Sequence, residues 1–232
     1  MRDYMQTELT IKVYSNTEQT LDAIAAKFAD NLKDLDMKLE IGFSKNKWVT
    51  VDADGDDAEF AIHFLKEKYG TPVYEPVAGK KYRGYIQSIE EDKIVVDIGK
   101  KVSITASGLK NLGTGSPDQV ATRFGLIPYM PVKVEILNTN AGEQVRFTGQ
   151  QADKLWEWKK ASTDRIIVNS VTRSQLKSVL KKTGHSRDIY GTERLGIMEH
   201  CVICRETTDG PGIVAEIGPK LNADMGVIRS EK

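Results

Sequence analysis

The sequence lacks most of what marks secreted, membrane-embedded and disulfide-bonded proteins. Its 232 residues include two cysteines, Cys201 and Cys204, whereas a disulfide scaffold needs more of them in a much shorter chain. No apolar run approaches the roughly 18 residues that a membrane-spanning helix needs. Residues 1–4 are polar and acidic, unlike a secretory signal. A cytoplasmic protein is therefore expected.

Motifs that carry enzyme chemistry are also missing. The sequence has no phosphate-binding loop, no dinucleotide-binding glycine fingerprint and no nucleophile elbow. The three histidines, His63, His185 and His200, lie in unrelated contexts. We therefore expect neither catalysis nor a cofactor.

Charge is balanced over the whole chain but unevenly divided among its parts. Residues 1–77 hold 9 basic and 15 acidic side chains, a net charge of −6. Residues 78–161 hold 13 and 9, a net of +4, and residues 162–232 hold 11 and 9, a net of +2. The acidic amino-terminal part is expected to form a separate unit that faces a protein partner, and a polyanion is expected to bind beyond it.

Periodicity predicts three small domains in an α+β protein, at 1–77, 78–150 and 151–232. In the first, alternation at Leu9, Ile11 and Val13 starts the order strand, helix, strand, strand, helix. This order predicts a ferredoxin-like split α/β domain, with residues 73–77 as the candidate for its last strand. The last domain is predicted to contain a linker helix at 154–160 and a small βαβαβ arrangement.

The middle domain changes to short strands separated by turns. The runs lie at 82–89, 94–98, 102–106, 131–137 and 144–148, with a short helix between the third and fourth. This is the arrangement of a five-stranded OB barrel.

Family resemblance points the same way. Tyr-Arg-Gly-Tyr-Ile at 82–86, Val-Val-Asp-Ile-Gly at 95–99 and Pro-Val-Lys-Val-Glu-Ile at 131–136 resemble the RNA-binding OB repeat of the large ribosomal protein S-one. The whole chain also resembles a family of uncharacterised archaeal proteins that carries such a domain between two α/β parts. The resemblance implies an RNA-binding surface on the central barrel.

Cationic side chains interleaved with the aromatic residues Tyr82, Tyr85, Phe124 and Tyr129 make that barrel a candidate RNA site. Cations neutralise phosphates, and aromatic faces stack on unpaired bases. The alternative is that the aromatic rings form the barrel core and the lysines lie in solvated turns. The predicted contacts are Arg83, Tyr85, Lys100, Lys101, Arg123, Lys133 and Arg146.

A second cationic stripe lies on the helix that a capping box at Thr172 begins. Arg173, Lys177 and Lys181 recur every four residues and therefore share one face. The stripe extends to Lys182, His185 and Arg187. Few acidic residues accompany it, which favours a polyanion over a merely solvated face.

Cys201 and Cys204, with His200 and His185, supply ligand types for zinc. The intervening Val202-Ile203 favours an extended strand, which puts the two cysteines on opposite faces. Reduced, buried cysteines are therefore expected, and no metal site is predicted.

These patterns predict an RNA- or ribonucleoprotein-binding protein, associated with the ribosome or RNA polymerase and acting in translation. Two alternatives stay open. A protein-docking adaptor would use the OB face without nucleic acid, and its binding would be insensitive to salt. A small-molecule sensor would use the turn at 209–213, which resembles the amino-acid-binding ACT module and whose backbone amides suit a carboxylate.

Overall fold

The computed structural model describes residues 5–138 and 144–230. Those residues form three small antiparallel sheets and six α-helices, so the protein has the mixed α+β class that the sequence predicts. The chain divides into two compact units. The first contains the residues up to Tyr74 together with Ile98–Lys100, and the second contains the rest.

The first unit follows the predicted order of strand, helix, strand, strand, helix. Its strands pair in the order β1-β3-β2, and Leu9, Val49 and Val51 are fully buried with Ile24 and Phe28. The elements are β1 (Met5–Lys12), α1 (Thr17–Asn31), β2 (Lys38–Phe43), β3 (Trp48–Asp54) and α2 (Ala58–Tyr69).

Residues 73–77 do not supply the last strand of this sheet. Val73 forms an isolated bridge with Gly99, and Pro72 and Pro76 lack the amide hydrogen that a ladder requires. Gly99 has φ +115°, and a Cβ there would lie 2.5 Å from the Val73 nitrogen. This close approach therefore requires glycine.

The central domain has five strands with a short helix between the third and fourth, as predicted. The strands pair in the order β6-β5-β4-β7-β8. The elements are β4 (Lys81–Ile89), β5 (Lys93–Asp97), β6 (Lys101–Thr105), α3 (Pro117–Arg123), β7 (Pro131–Asn138) and β8 (Gln144–Phe147).

The predicted closed barrel is not formed, because no ladder joins β6 to β8 within the described residues. A 3-10 helix, Ala106–Leu112, leaves the end of β6 and lies against β8. The Asn111 side chain donates to the Phe147 carbonyl at 3.2 Å, and a Cβ on Gly108 would lie 2.0 Å from the Val145 oxygen. Strand β6 itself lies close to β8 but does not pair with it in the described part of the chain, so the sheet stays open.

The carboxy-terminal domain contains one strand more than the predicted βαβαβ. Its sheet has the order β10-β11-β9-β12, and the missed strand is β10, whose alternation is interrupted by a register shift between Ile189 and Gly191. The elements are α4 (Gly149–Lys160), β9 (Arg165–Val168), α5 (Arg173–Lys182), β10 (Ile189–Arg194), β11 (His200–Cys204), α6 (Gly210–Ile217) and β12 (Met225–Ile228).

Within the second unit, the central and carboxy-terminal domains meet at two glycines. A Cβ on Gly226 in β12 would lie 2.3 Å from the Gly125 carbonyl oxygen. Beside this contact the buried Asn169 amide donates to the Pro128 carbonyl at 2.8 Å, and its oxygen accepts from the Asp224 amide at 2.8 Å. Backbone packing and the hydrogen bond from Asn169 to Pro128 therefore join the two domains, and the bond from Asp224 holds Asn169 in place.

Across the parts of the chain that the structure describes, no helix combines the length and the apolar character needed to cross a membrane.

Candidate nucleic-acid interface

The outer face of the central sheet is cationic where β4 and β7 pair. Along β7, Val132 and Val134 are buried, so the intervening Lys133 points to the other face and is exposed. Arg83 on β4 is also exposed and lies directly opposite Lys133. Lys81, two residues earlier, lies opposite Glu135. Three cations therefore share one small area of sheet.

The ion pair beside this area neutralises only part of the positive charge of the face. Glu135 accepts from both Nε and a terminal nitrogen of Arg146 at 3.0 Å, and the two residues are cross-strand partners on β7 and β8. Glu135 thus lies among four cationic side chains, Lys81, Arg83, Lys133 and Arg146, and the buried Asp97 is a second carboxylate on the same face. The face keeps a net positive charge.

Other predicted contacts in this domain lie further from the Arg83–Lys133 pair, although register places Lys101 on the same face of the sheet. Lys101 is exposed on β6 opposite the buried Asp97, and Lys100 belongs to the segment that clusters with the first unit. Arg123 is half-buried at the end of α3, and it donates to the Thr114 carbonyl at 2.9 Å. Arg123 therefore holds the loop before its helix.

The predicted aromatic contacts are mostly inside the protein. Tyr85 is 5% exposed and Phe124 is fully buried, with its ring edge-on to Trp156 at a centroid distance of 5.0 Å. The Tyr82 hydroxyl accepts from the Val77 amide at 2.8 Å. The prediction of Tyr85 as a contact does not agree with its burial, because a ring that is covered by protein cannot stack on a base.

The stripe on α5 has the predicted geometry. Leu176 and Leu180 are buried in the core, whereas Lys177, Lys181 and Lys182 are exposed. Arg173 is exposed and donates to the hydroxyl and carbonyl oxygens of Thr192 on β10, at 3.2 and 3.0 Å. The predicted capping box at Thr172 is present. The helix therefore presents a cationic surface that is anchored at its first turn.

Of the predicted extension of this stripe, Arg187 is exposed but His185 is not. The imidazole Nδ1 lies 2.8 Å from a carboxylate oxygen of Asp188, and Nε2 lies 3.2 Å from a carboxylate oxygen of Glu216, a residue of α6. His185 therefore connects the end of the stripe to α6.

The cysteines and His200 form no metal site. Cys204 packs among the buried side chains under α5, and Cys201, three residues earlier on the strand, points to the opposite face. Burial raises the pKa of each thiol to about 12. Burial also lowers the pKa of His200 to about 4. The hydrogen bond from its Nε2 to the Val171 carbonyl acts in the opposite direction and raises the pKa, but burial has the larger effect. No cluster of metal-binding side chains occurs among residues 5–138 and 144–230.

The turn that resembles an ACT module has its amides occupied. The Gly210 amide donates to the Asp164 carboxylate and the Gly212 amide donates to Asp209, both at 3.1 Å. Asp164 also accepts from the Ser230 amide at 2.9 Å. A ligand carboxylate would have to displace two carboxylates of the protein itself, so the structure disfavours a small-molecule sensor at this turn.

Lys81 is the cation on this surface that sequence reasoning missed. The predicted strand began at Tyr82, one residue too late to include it. Alternation with Arg83 was the available signal, since both residues fall on the same face of a strand.

Comparison with known proteins gives a family and little else. Sequence profiles match in order: the DUF2110 N-terminal domain over residues 6–75, the DUF2110 central domain over 76–159 and the DUF2110 C-terminal domain over 163–229. No curated protein matches the chain. A solved structure described as "Crystal structure of putative exosome complex RNA-binding protein" is similar at 14% identity and a TM-score of 0.28, over 64% of this chain and 84% of that chain. A TM-score this low carries no argument about fold or function.

Proposed function

The chain belongs to the DUF2110 family through all three of its domains, and from that premise we propose that it binds RNA or a ribonucleoprotein surface without catalysis. The contact is the cationic face of the central sheet: Lys81, Arg83, Lys133 and Arg146. The observation that carries this proposal is the placement of Arg83 directly opposite Lys133.

A cross-strand pair of like charges is unfavourable for the isolated sheet. Side chains that are directly opposite lie about 5 Å apart at Cβ, and equal charges there repel. A polyanion removes this repulsion, because each phosphate that a cation neutralises also releases a condensed counterion. RNA bound across the pair would neutralise both charges at once.

Strand order supports assigning the central domain to an open relative of the OB fold. In the order β6-β5-β4-β7-β8 the first strand of the domain pairs with the second and the fourth, which is the Greek-key connection of that fold. The proposed setting is cytoplasmic, on the ribosome or RNA polymerase. Helix α5, with Arg173, Lys177 and Lys181, is the proposed second contact with the RNA backbone.

The test is charge reversal on the sheet. Full-length protein with Arg83→Glu and Lys133→Glu is titrated against labelled RNA over a salt series, beside a control with Lys45→Glu and Lys66→Glu, two exposed lysines of the first unit. We expect the sheet variant to bind about 100-fold more weakly and the salt slope to fall by about 1.4 to 1.8, since each of the two lost phosphate contacts removes about 0.7–0.9. The control is expected to bind like the wild type.

Two results would argue against RNA binding by this face. If both variants keep wild-type affinity while circular dichroism shows that they are folded, the RNA contact is elsewhere. If the wild type binds its ribonucleoprotein target with no dependence on salt, the protein-docking adaptor replaces the RNA-binding function.

A protein contact through the acidic first unit is a second proposal, favoured by the surface of α2. Phe60 is 60% exposed, and Phe64 lies one turn further on the same side, with the exposed Glu59 and Glu67 nearby. An exposed aromatic residue in an acidic surface suits a basic protein partner. A photoreactive phenylalanine at position 60 should cross-link to a protein of purified ribosomes or RNA polymerase. Cross-links to RNA alone, or none, would contradict it.

A further inference from the structure

The outer face of the central sheet also indicates the form in which RNA is bound, an inference that rests on the proposed function. Strand register places Tyr85 on this face, between Asp97 on β5 and Pro131 on β7. Tyr85 is the aromatic residue among the paired positions of this face, and it is 5% exposed. The exposed residues nearest to it in the strand register are the cations Arg83, Lys133 and Lys101.

In the part of the central domain that the structure describes, no other large ring is fully exposed, and Tyr82, Tyr129 and Trp156 are half-buried. Phe124 and Phe147 are fully buried. Trp156, on the adjoining α4, packs edge-on against Phe124 and donates its indole N–H to the Asn111 carbonyl at 2.8 Å. Among the described residues, this domain therefore offers phosphate-binding cations without an exposed aromatic platform beside them.

We propose that this face binds the phosphate backbone of duplex RNA and does not stack on unpaired bases. Proteins that hold single strands combine cations with exposed aromatic rings, on which successive bases stack. In an A-form duplex the bases are already stacked on each other, and the phosphates and 2′-hydroxyls are what a protein meets. A duplex also presents phosphates at higher density than a single strand, which suits the paired Arg83 and Lys133.

The experiment compares a blunt RNA duplex with an unstructured single strand of the same length, both titrated with full-length protein across a salt series. Inorganic polyphosphate, which has no bases, is the competitor. We expect the duplex to bind at least tenfold more tightly than the single strand and polyphosphate to displace it. The Arg83→Gln, Lys133→Gln variant should weaken duplex binding at least tenfold.

A matched control tests stacking elsewhere in the second unit. Tyr190 on β10 is 55% exposed, and Arg205 lies over its ring at 4.8 Å. Tyr190→Ala should leave the affinity for both RNAs unchanged. Tighter binding of the single strand than of the duplex would overturn phosphate-only recognition but leave RNA binding in place. Loss of that binding in Tyr190→Ala, or failure of polyphosphate to compete, would point to base stacking. Binding to neither RNA at low salt would overturn the proposed function itself.

Discussion

Helices α1 and α5 hold the same place in two domains of the same strand order. The strands of the first unit run β1-β3-β2, and the carboxy-terminal sheet repeats this order as β9-β11-β10, with β12 added beside β9. Each helix follows the first strand of its domain and is capped by a side chain, Asn16 for α1 and Thr172 for α5. Their architecture is therefore equivalent.

Their surfaces are opposite in charge. Helix α1 has Glu18 in its first turn, which favours the helix dipole, and Lys27 pairs with Asp30 at 3.1 Å near its end. Helix α5 has no acidic residue in its first turn and carries Arg173 there instead. A cation at that end opposes the dipole. Because the same arrangement is built without such cations in α1, the exposed lysines of the stripe, Lys177 and Lys181, are not a requirement of folding.

The largest test of this comparison is removal of a buried side chain from each helix. Ile24→Ala in α1 and Leu176→Ala in α5 should each lower the free energy of unfolding by about 3 to 4 kcal/mol, because both side chains are fully buried. Urea unfolding followed by circular dichroism measures this, and the exposed Lys177→Ala is the control, with a change of about 0.5 kcal/mol or less. A loss below about 1 kcal/mol at either position would show that the two helices are not equivalently packed.

Low pH should lower the stability of the carboxy-terminal domain through the buried side chain of His200. Its pKa is lowered to about 4 in the folded protein by burial, whereas an unfolded histidine titrates near 6.5. The unfolded chain therefore binds the proton first, so stability is full above about pH 6.5 and falls as pH drops towards 4. The loss reaches at most about 3 kcal/mol and does not grow below pH 4.

His200→Gln isolates this effect from the titration of carboxylates. The difference in unfolding free energy between wild type and variant, measured by urea unfolding from pH 7.5 to 4, should change in the stated window. A difference that stays constant with pH would refute the assignment to His200.

Reversing charge on the two helices should affect RNA affinity unequally. Arg173→Glu, Lys177→Glu and Lys181→Glu together should weaken RNA binding about tenfold and reduce its salt slope. Glu18→Lys and Asp22→Lys on α1 should change affinity less than about threefold, since α1 is not a proposed contact. Fluorescence anisotropy with labelled RNA measures both. Equal effects would remove the functional distinction between the helices.

The smallest expected effect is at the caps, where the helices should behave alike. Asn16→Ala removes an acceptor for the Gln19 amide, and Thr172→Ala removes one for the Gln175 amide. Each should lower stability by about 1 kcal/mol in urea unfolding. A markedly larger loss for Thr172 would mean that the capping box of α5 has a further role, because Gln175 also accepts from the Thr172 amide.

Local patterns along the chain predicted most elements, because alternation and capping depend on neighbouring residues. The strand at 131–137 and the cap at Thr172 are observed close to where the pattern placed them. Strand β10 was missed because Gly191 and its register shift interrupt alternation. Closure of the barrel was wrongly expected because it requires β6 to pair with β8, and pairing between segments distant in sequence leaves no sign in local alternation.

The candidate site was predictable by residue type but not by arrangement. Arg83 and Lys133 were chosen as cations, yet their position as cross-strand partners follows from register, which single-strand patterns do not reveal. Tyr85 was chosen because aromatic rings suit RNA. Gly84, Tyr85 and Ile86 are all buried, so both faces of β4 are covered at that point, and alternation alone gives no sign of it.

The contact of Gly125 with Gly226 bears on how these domains are inherited. Recombination that replaced the carboxy-terminal domain alone would bring a new strand against the Gly125 carbonyl, and any residue with a Cβ at position 226 would collide with it. The incoming strand would need glycine at that position. Exchange of the carboxy-terminal domain alone is therefore restricted to sequences that carry glycine at this one position.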